Sequence, residues 1–288
     1  MTQGIAEIEG ARIYYELEGE GPAVVFVNPG ALDCRIWDPQ WPAFVARHRV
    51  LRYDPRGFRE SSKPEGAFSH IADLRALLDF AGISEAHLIG SSFGGSLALD
   101  FAAAHPGLVA SLVLVGAGGP QNGFPMPAEL FRAFAPIAQA MREDFARGID
   151  VWLEIDERMP RHERLRSLLR EIALENESYW KIAPGWVEPL APPVRERLKD
   201  MPVPTLAVVG ERDHPYTLDV ALLLEREMPR ARRVVVADAS HLVHLEKPST
   251  FNELVLSEIE KAQGARVMGA LPYRSRTVRS FFRSVRAR

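Results

Sequence analysis

The sequence AHLIGSSFGGSLALDFAAA, residues 86–104, contains the pattern that most clearly predicts the fold. Its first five residues form a short apolar run typical of a buried strand, and the residues from Phe93 onward have the composition of a helix. Between them, GSSFG at positions 90–94 is a G-x-S-x-G sequence, which makes a tight, strained turn when it joins a strand to a helix. We therefore predict that Ser92 is a nucleophile. A serine that only caps the helix is the alternative.

The same alternation continues on both sides of this stretch. Further apolar runs predict strands at residues 23–28, 49–54, 111–115, 205–209 and 232–236. Helical spacing of apolar residues lies between them, as at residues 69–81, 218–228 and 248–262. Strands that alternate with helices predict an α/β fold with a doubly wound, mostly parallel sheet. Residues 12–18 alternate polar and apolar side chains, which predicts an antiparallel edge strand.

The alternation stops after residue 116. Residues 118–202 show helical patterns at 128–147 and 161–176, no convincing strand, and prolines at both ends. We predict an α/β core formed by residues 1–119 and 200–264, with a helical cap insertion at residues 120–199. A cap beside the edge of a sheet encloses a pocket.

A catalytic serine needs a base, and the base needs an acid that orients it. In an architecture with this turn, the acid and then the histidine follow later strands. Asp213 follows the predicted strand at 205–209, and His241 follows the one at 232–236. Glu211 and His244 are their alternatives, but His244 stands among apolar residues and is expected to be packed. The two histidines lack further well-spaced metal ligands, so we expect no metal.

An acyl-transfer serine also needs hydrogen-bond donors for the oxygen that becomes negative, and each is worth about 3 kcal/mol. The N–H of Phe93, next to the nucleophile, would be one donor. The strand at 23–28 continues into Pro29-Gly30-Ala31-Leu32, and the N–H of Ala31 is the expected second donor. An ordinary turn in this loop is the alternative.

We expect the substrate pocket to include Leu32, Trp152 and Trp180, whose alternative role is packing of the cap on the core. GAGG at 116–119 hints at a dinucleotide loop. The third glycine of that motif would fall on Gln121, and the prolines that follow prevent an immediate helix. We therefore expect no cofactor.

Taken in order, these landmarks resemble those of the α/β-hydrolase superfamily up to about residue 262. They are NPG at 28–30, YDPRG at 53–57, GSSFG at 90–94, GERD at 210–213 and SH at 240–241. Residues 31–40 and 50–57 are most similar to bacterial enol-lactonases and small carboxylesterases. The chain departs from the family pattern at Asn28, where many members have histidine, and at residues 58–61, which lack a second glycine.

The resemblance implies a serine hydrolase with Ser92 as nucleophile, His241 as base and Asp213 as the acid. It would cleave a small-molecule carboxylic ester or lactone through an acyl-enzyme. Family members with an aspartate nucleophile do not fit. A carbon–carbon bond hydrolase of a diketone-like acid, a cofactor-free perhydrolase and a non-catalytic ligand-binding relative stay open.

The composition is that of a soluble globular protein, with 47% hydrophobic and 25% charged residues in 288. No apolar run approaches the roughly 20 residues that span a bilayer, so we expect no integral membrane segment. The first ten residues have neither the basic flank nor the apolar centre of a secretory signal. With one cysteine in the chain, we expect a cytoplasmic protein.

The charge is distributed unevenly along the chain. Residues 265–288 carry seven arginines and no acid, and the other residues carry 28 basic against 38 acidic side chains. The acidic body argues against nucleic acid as a partner. In the basic tail, four apolar residues between 278 and 285 fall on one helical stripe. We expect this tail to dock on the body or on a second subunit, with a disordered extension as the alternative.

Overall fold

The computed structural model describes residues 1–8, 10–156 and 158–267. Its strands are β1 (Thr2–Ile8), β2 (Ala11–Glu18), β3 (Ala23–Val27), β4 (Arg49–Tyr53), β5 (Ala86–Ser91), β6 (Val109–Val115), β7 (Thr205–Gly210) and β8 (Ala231–Val236). They form one sheet in the order β1-β2-β4-β3-β5-β6-β7-β8. β2 pairs antiparallel with both of its neighbours, and all pairs from β4 to β8 are parallel. The predicted mostly parallel sheet is therefore confirmed.

Helices connect the strands and cover both faces of the sheet. They are α1 (Trp41–Val45), α2 (His70–Phe80), α3 (Phe93–Ala104), α4 (Ala128–Ala133), α5 (Ala135–Glu143), α6 (Phe145–Ile155), α7 (Glu163–Glu175), α8 (Glu177–Trp180), α9 (Pro215–Glu227), α10 (Val243–Glu246) and α11 (Pro248–Val267). None of the helices in the described part of the chain is long and apolar enough to cross a membrane.

The first strand differs from the sequence prediction. β1 pairs with β2 along its whole length, from Thr2 opposite Leu17 to Ile8 opposite Ala11. β2 is antiparallel as predicted, but it lies inside the sheet, so its assignment as an edge strand is wrong. β1 was missed because only Ala6 among its residues is buried, which leaves little apolar pattern to recognise.

The helices between β6 and β7 also differ in detail. The pattern at 128–147, expected as one helix, forms α4, α5 and α6. Pro136 stands in the first turn of α5, where its missing N–H costs nothing, but it could not continue a longer helix. Asp144 caps α6 by accepting a hydrogen bond from Arg147 N at 2.7 Å, which separates α6 from α5. The residue limits of core and cap stay a prediction.

Buried apolar side chains lie on both faces of the sheet. α2, α3 and α9 cover one face. α1 and α11 cover the other, and the same cluster extends into the cap through Ile149, Trp152 and Leu169. The cap helices α5 to α8 therefore share a continuous apolar core with the sheet. The predicted docking of the arginine-rich tail concerns residues outside the described part of the chain.

The middle of α3 depends on this core. Phe101 is fully buried, so Phe101→Ala should leave a cavity and lower the free energy of unfolding by about 3–5 kcal/mol. Phe80 at the end of α2 is 50% exposed, and Phe80→Ala should cost less than about 1 kcal/mol. Urea denaturation of both variants tests this expectation. Equal losses would mean that α3 does not occupy the core as described.

Candidate active site

Ser92 lies in the turn between β5 and α3 with backbone angles φ 51° and ψ −115°. A positive φ is strained for a residue other than glycine. The Ser92 N–H donates to the Val115 carbonyl at 2.7 Å, which ties the turn to β6. A Cβ at position 90 would stand 2.3 Å from the Gly94 carbonyl, and one at 94 would stand 2.2 Å from the Val27 carbonyl. Both glycines are therefore required for this turn.

Asp213 and His241 meet at the carboxyl ends of β7 and β8. The His241 Nδ1 lies 2.9 Å from the Asp213 Oδ2, and both side chains are buried. Because the carboxylate accepts, we assign the proton to Nδ1, which leaves the Nε2 lone pair free. Nε2 makes no hydrogen bond to any described residue. Asp213 therefore orients the ring through Nδ1, while Nε2 is free to accept a proton, as a general base requires.

Two contacts fix the loop that carries His241. Glu246 Oε1 accepts from the Ser240 N–H at 2.9 Å and from the Ser240 hydroxyl at 2.7 Å. The His241 N–H donates to the carbonyl of Arg158, a cap residue, at 3.1 Å. The position of the histidine therefore depends on the core and on the cap together.

The loop after β3 approaches Ser92 from the other side. Ala31 is buried and has a positive φ of 65°, which is uncommon for a residue other than glycine. Asn28, which stands where many α/β-hydrolases have histidine, donates through Nδ2 to the Tyr53 carbonyl at 2.9 Å. It accepts from Trp37 Nε1 at 3.2 Å. The Asn28 side chain therefore fixes the start of the loop through hydrogen bonds of both its amide nitrogen and its amide oxygen.

The alternative residues of the sequence analysis lie elsewhere. Glu211 is exposed, and its Oε2 accepts from the Asp238 N–H at 3.1 Å, so it does not pair with His241. His244 is fully buried, and its ring stacks on Trp37 with centroids 4.4 Å apart. Burial and the neighbouring His241 lower the pKa of His244 to about 3, so its ring stays neutral.

Ser92 and His241 both line a cavity of about 200 Å³ under the cap. The three predicted pocket residues, Leu32, Trp152 and Trp180, also line it. The aromatic walls and the small volume fit a compact, largely apolar group next to the serine.

Arg158 adds a positive charge to this cavity. Its Nη2 lies 2.6 Å from the Asp156 Oδ2. Burial alone would raise the pKa of Asp156, but the hydrogen bonds and charge of Arg158 outweigh it and lower that pKa. The carboxylate also accepts from Trp152 Nε1 at 3.2 Å, so the arginine is held by an anchored partner.

A second cavity, of about 870 Å³, lies between the cap and the loop that carries His241. Met159 contributes to the walls of both cavities. Basic side chains line the larger one, among them Arg161, Arg164 and Lys247.

Three residues of the site were not predicted from the sequence: Gly116, Arg158 and Tyr179. The sequence places Gly116 directly after the β6 strand, but its role is evident only from the packing of the His241 ring against it. A Cβ there would stand 2.8 Å from His241 Cε1 and 2.9 Å from Nδ1. Arg158 and Tyr179 belong to the cap, where no local pattern marks a residue that faces the cavity.

The sequence profile of the alpha/beta hydrolase family matches residues 24–254, which include every residue of this site. The chain belongs to the alpha/beta hydrolase family. The matched residues include the turn at Ser92 and the Asp213–His241 pair.

Curated relatives of this hydrolase cover most of its length. A relative from Azorhizobium caulinodans, with the provisional name carbamate hydrolase RutD, is 28% identical over 85% of this chain and 94% of its own. The 2-hydroxy-6-oxo-6-phenylhexa-2,4-dienoate hydrolase of Comamonas testosteroni is also 28% identical, over 85% and 90%.

Solved structures share the fold of this chain. Est816, described as an N-acyl homoserine lactone degrading enzyme, has a TM-score of 0.70 and 26% identity over 88% of this chain and 99% of its own. The enol-lactonase from Burkholderia xenovorans LB400 has a TM-score of 0.73 at 24% identity, over 89% and 100%, and shows the fold alone.

Gly116 offers a test of the histidine position in this hydrolase. Gly116→Ala should push the His241 ring from its place and abolish most hydrolytic activity while the protein stays folded. Gly82→Ala is the matched control, because Gly82 has a similar φ of +63° against +56° but nothing within 4 Å of its added Cβ. Both variants should lose about 1–2 kcal/mol of stability. Equal activity in the two would contradict the described packing of His241.

Proposed function

We propose that this protein is a serine hydrolase that cleaves a carboxylic ester or lactone through an acyl-enzyme on Ser92. The observation that carries the proposal is the buried Asp213–His241 pair, whose free Nε2 and Ser92 line one cavity. The described residues show no hydrogen bond between Ser92 and His241 Nε2. Such bonds are often long in free enzymes and shorten when substrate binds.

In the first half of the reaction, Ser92 Oγ attacks the carbonyl carbon of the substrate. Its proton passes to His241 Nε2, and Asp213 stabilises the imidazolium that results. The electron pair of the carbonyl bond moves to the oxygen, which the N–H groups of Phe93 and Ala31 receive. When the tetrahedral intermediate collapses, the alcohol leaves with the proton from His241. At this stage an ester has released its alcohol and left its acyl group on Ser92. A lactone has opened, and its alcohol remains part of the acyl group on Ser92.

The second half repeats these steps with water. His241 Nε2 removes a proton from a water molecule, which attacks the acyl carbon. When the new tetrahedral intermediate collapses, the bond from carbon to Ser92 Oγ breaks, the acid is released, and His241 returns its proton to Ser92 Oγ. The aromatic walls beside Ser92, Trp152 and Trp180 among them, exclude other water and favour an apolar acyl group.

Carbon–carbon bond hydrolysis of a keto acid is a second candidate. The Comamonas testosteroni relative is named for a 6-oxo-dienoate, which carries both a carboxylate and a keto group. Arg158 lines the cavity, and its Nη1, which does not bind Asp156, could donate to a carboxylate oxygen of the substrate. A parallel assay of p-nitrophenyl esters, lactones and vinylogous diketo acids separates the two. Turnover of the diketo acids far above that of the esters would favour the second candidate.

Replacement of the nucleophile tests the acyl-enzyme. Ser92→Ala should lower kcat for p-nitrophenyl acetate by about 10⁴-fold or more and remove any burst of p-nitrophenol. Ser91→Ala is the matched control, because the Ser91 hydroxyl is buried without a partner among the described residues. It should keep activity within about threefold of wild type. An active Ser92→Ala would refute the proposal.

Replacement of the acid tests the role of Asp213. Asp213→Asn should leave the fold intact but lower kcat by about 10⁴-fold, because the amide favours the wrong histidine tautomer. Glu211→Gln, two residues earlier, removes a carboxylate of the same loop and should change kcat little. Steady-state kinetics with melting curves decide the matter. If the severe loss came from Glu211→Gln, the acid would be misassigned.

A further inference from the structure

Tyr179, near the end of cap helix α8, reaches down to the loop that follows β3. A Cβ at Gly30 would stand 2.4 Å from the Tyr179 hydroxyl oxygen and 2.9 Å from its Cζ. The hydroxyl therefore lies against the backbone of Gly30, one residue before Ala31. Tyr179 also lines the cavity that contains Ser92. Only glycine at position 30 leaves room for this approach.

The tyrosine ring is fixed while its hydroxyl is free. The ring centroid lies 5.0 Å from that of Phe58 and 6.1 Å from that of Phe93. The hydroxyl makes no hydrogen bond to any residue in the described part of the chain. It is not fully buried, as the unpartnered Tyr53 hydroxyl is, but opens to the cavity, and tyrosine hydroxyls in such places normally find a partner. A bound molecule in the cavity is the partner that the geometry leaves available.

The position of this hydroxyl relates it to the two backbone donors. Ala31 follows the glycine that it touches, and Phe93 carries the ring beside which Tyr179 packs. We propose that the Tyr179 hydroxyl is a third hydrogen-bond donor to the oxygen that becomes negative during the reaction. This inference rests on the proposed function, because it assumes an attack by Ser92 on a carbonyl.

The chemistry requires no proton from Tyr179. Ser92 Oγ forms the bond to carbon, the carbonyl electron pair moves to oxygen, and the serine proton goes to His241 Nε2. Tyr179 keeps its proton and shares it in a hydrogen bond. Burial raises the pKa of Tyr179 to about 12, although the Arg158 charge opposes the rise. The phenol therefore stays a neutral donor throughout an assay between pH 6 and pH 9, because even pH 9 lies about three units below this pKa.

The cap contacts explain how the donor is positioned. Asn176, at the start of α8, donates from Nδ2 to Asp33 Oδ2 at 2.9 Å. Its Oδ1 accepts from the Arg59 N–H at 2.9 Å. Both partners belong to core loops near the oxyanion donors. The core thus supplies two donors, and the docked cap would complete the set with the third.

Tyr179→Phe tests the inference, because it removes the hydroxyl and keeps the ring contacts. We expect kcat to fall about 100-fold with KM within about twofold, as for a donor that acts on the transition state. Tyr216→Phe is the matched control. Its hydroxyl donates to the Phe124 carbonyl at 2.9 Å, away from the cavity lining, so its loss should leave kcat unchanged.

A leaving-group series separates a donor to the oxyanion from an acid for the departing alcohol. The loss in Tyr179→Phe should be similar for p-nitrophenyl, phenyl and ethyl esters. A loss restricted to the poor leaving groups would assign the proton-donor role and overturn the inference. An unchanged kcat, or a change in KM alone, would overturn it as well.

Fluorophosphonate labelling distinguishes failure of this inference from failure of the proposed function. If wild-type protein is not labelled on Ser92, the serine mechanism itself is wrong. If Ser92 is labelled but Tyr179→Phe turns over like wild type, only the third donor is wrong. We expect labelling of Ser92 in both proteins, at a rate at least about tenfold slower in Tyr179→Phe.

Discussion

The close approach of α3 to the end of β3 is the constraint on which the site depends. The backbone at Gly94 lies so near the Val27 and Asn28 carbonyls that a Cβ would overlap them. This contact forces the chain through the tight turn in which Ser92 has a positive φ, a conformation that costs about 1–3 kcal/mol. The turn raises the serine above the carboxyl ends of the strands, and hydrogen bonds to β6 and within α3 hold it there.

The strand order brings the other parts of the site to the same edge. β3 and β6 are the two neighbours of β5, so the Ala31 loop and Gly116 flank Ser92. β7 and β8 follow in the sheet and present Asp213 and His241 at their ends. Gly116 leaves the space that the histidine ring occupies, and the cap contributes the Arg158 carbonyl that binds the histidine backbone. The site therefore combines five strand ends with one cap contact.

The sequence predicted what local patterns and chain order determine. Continuous apolar runs identify buried strands, and the glycines at 90 and 94 identify the turn, because small residues are required there whatever surrounds them. The pairing of His241 with Asp213, and not with Glu211, agrees with the positions at the strand ends. Residues whose role depends on distant contacts were missed: Tyr179 and Arg158 reach the cavity only because the cap folds back. β1 was missed because its exposed residues carry no apolar period.

A crystal structure of the protein inactivated by a fluorophosphonate tests the central claim most directly, because the phosphonyl group mimics the tetrahedral intermediate. We predict a covalent bond from Ser92 Oγ to phosphorus, with the phosphonyl oxygen within about 3 Å of the Phe93 and Ala31 nitrogens. Its other side should face His241 Nε2. A phosphonate bound to another residue, or an oxygen that points away from both backbone donors, would contradict it.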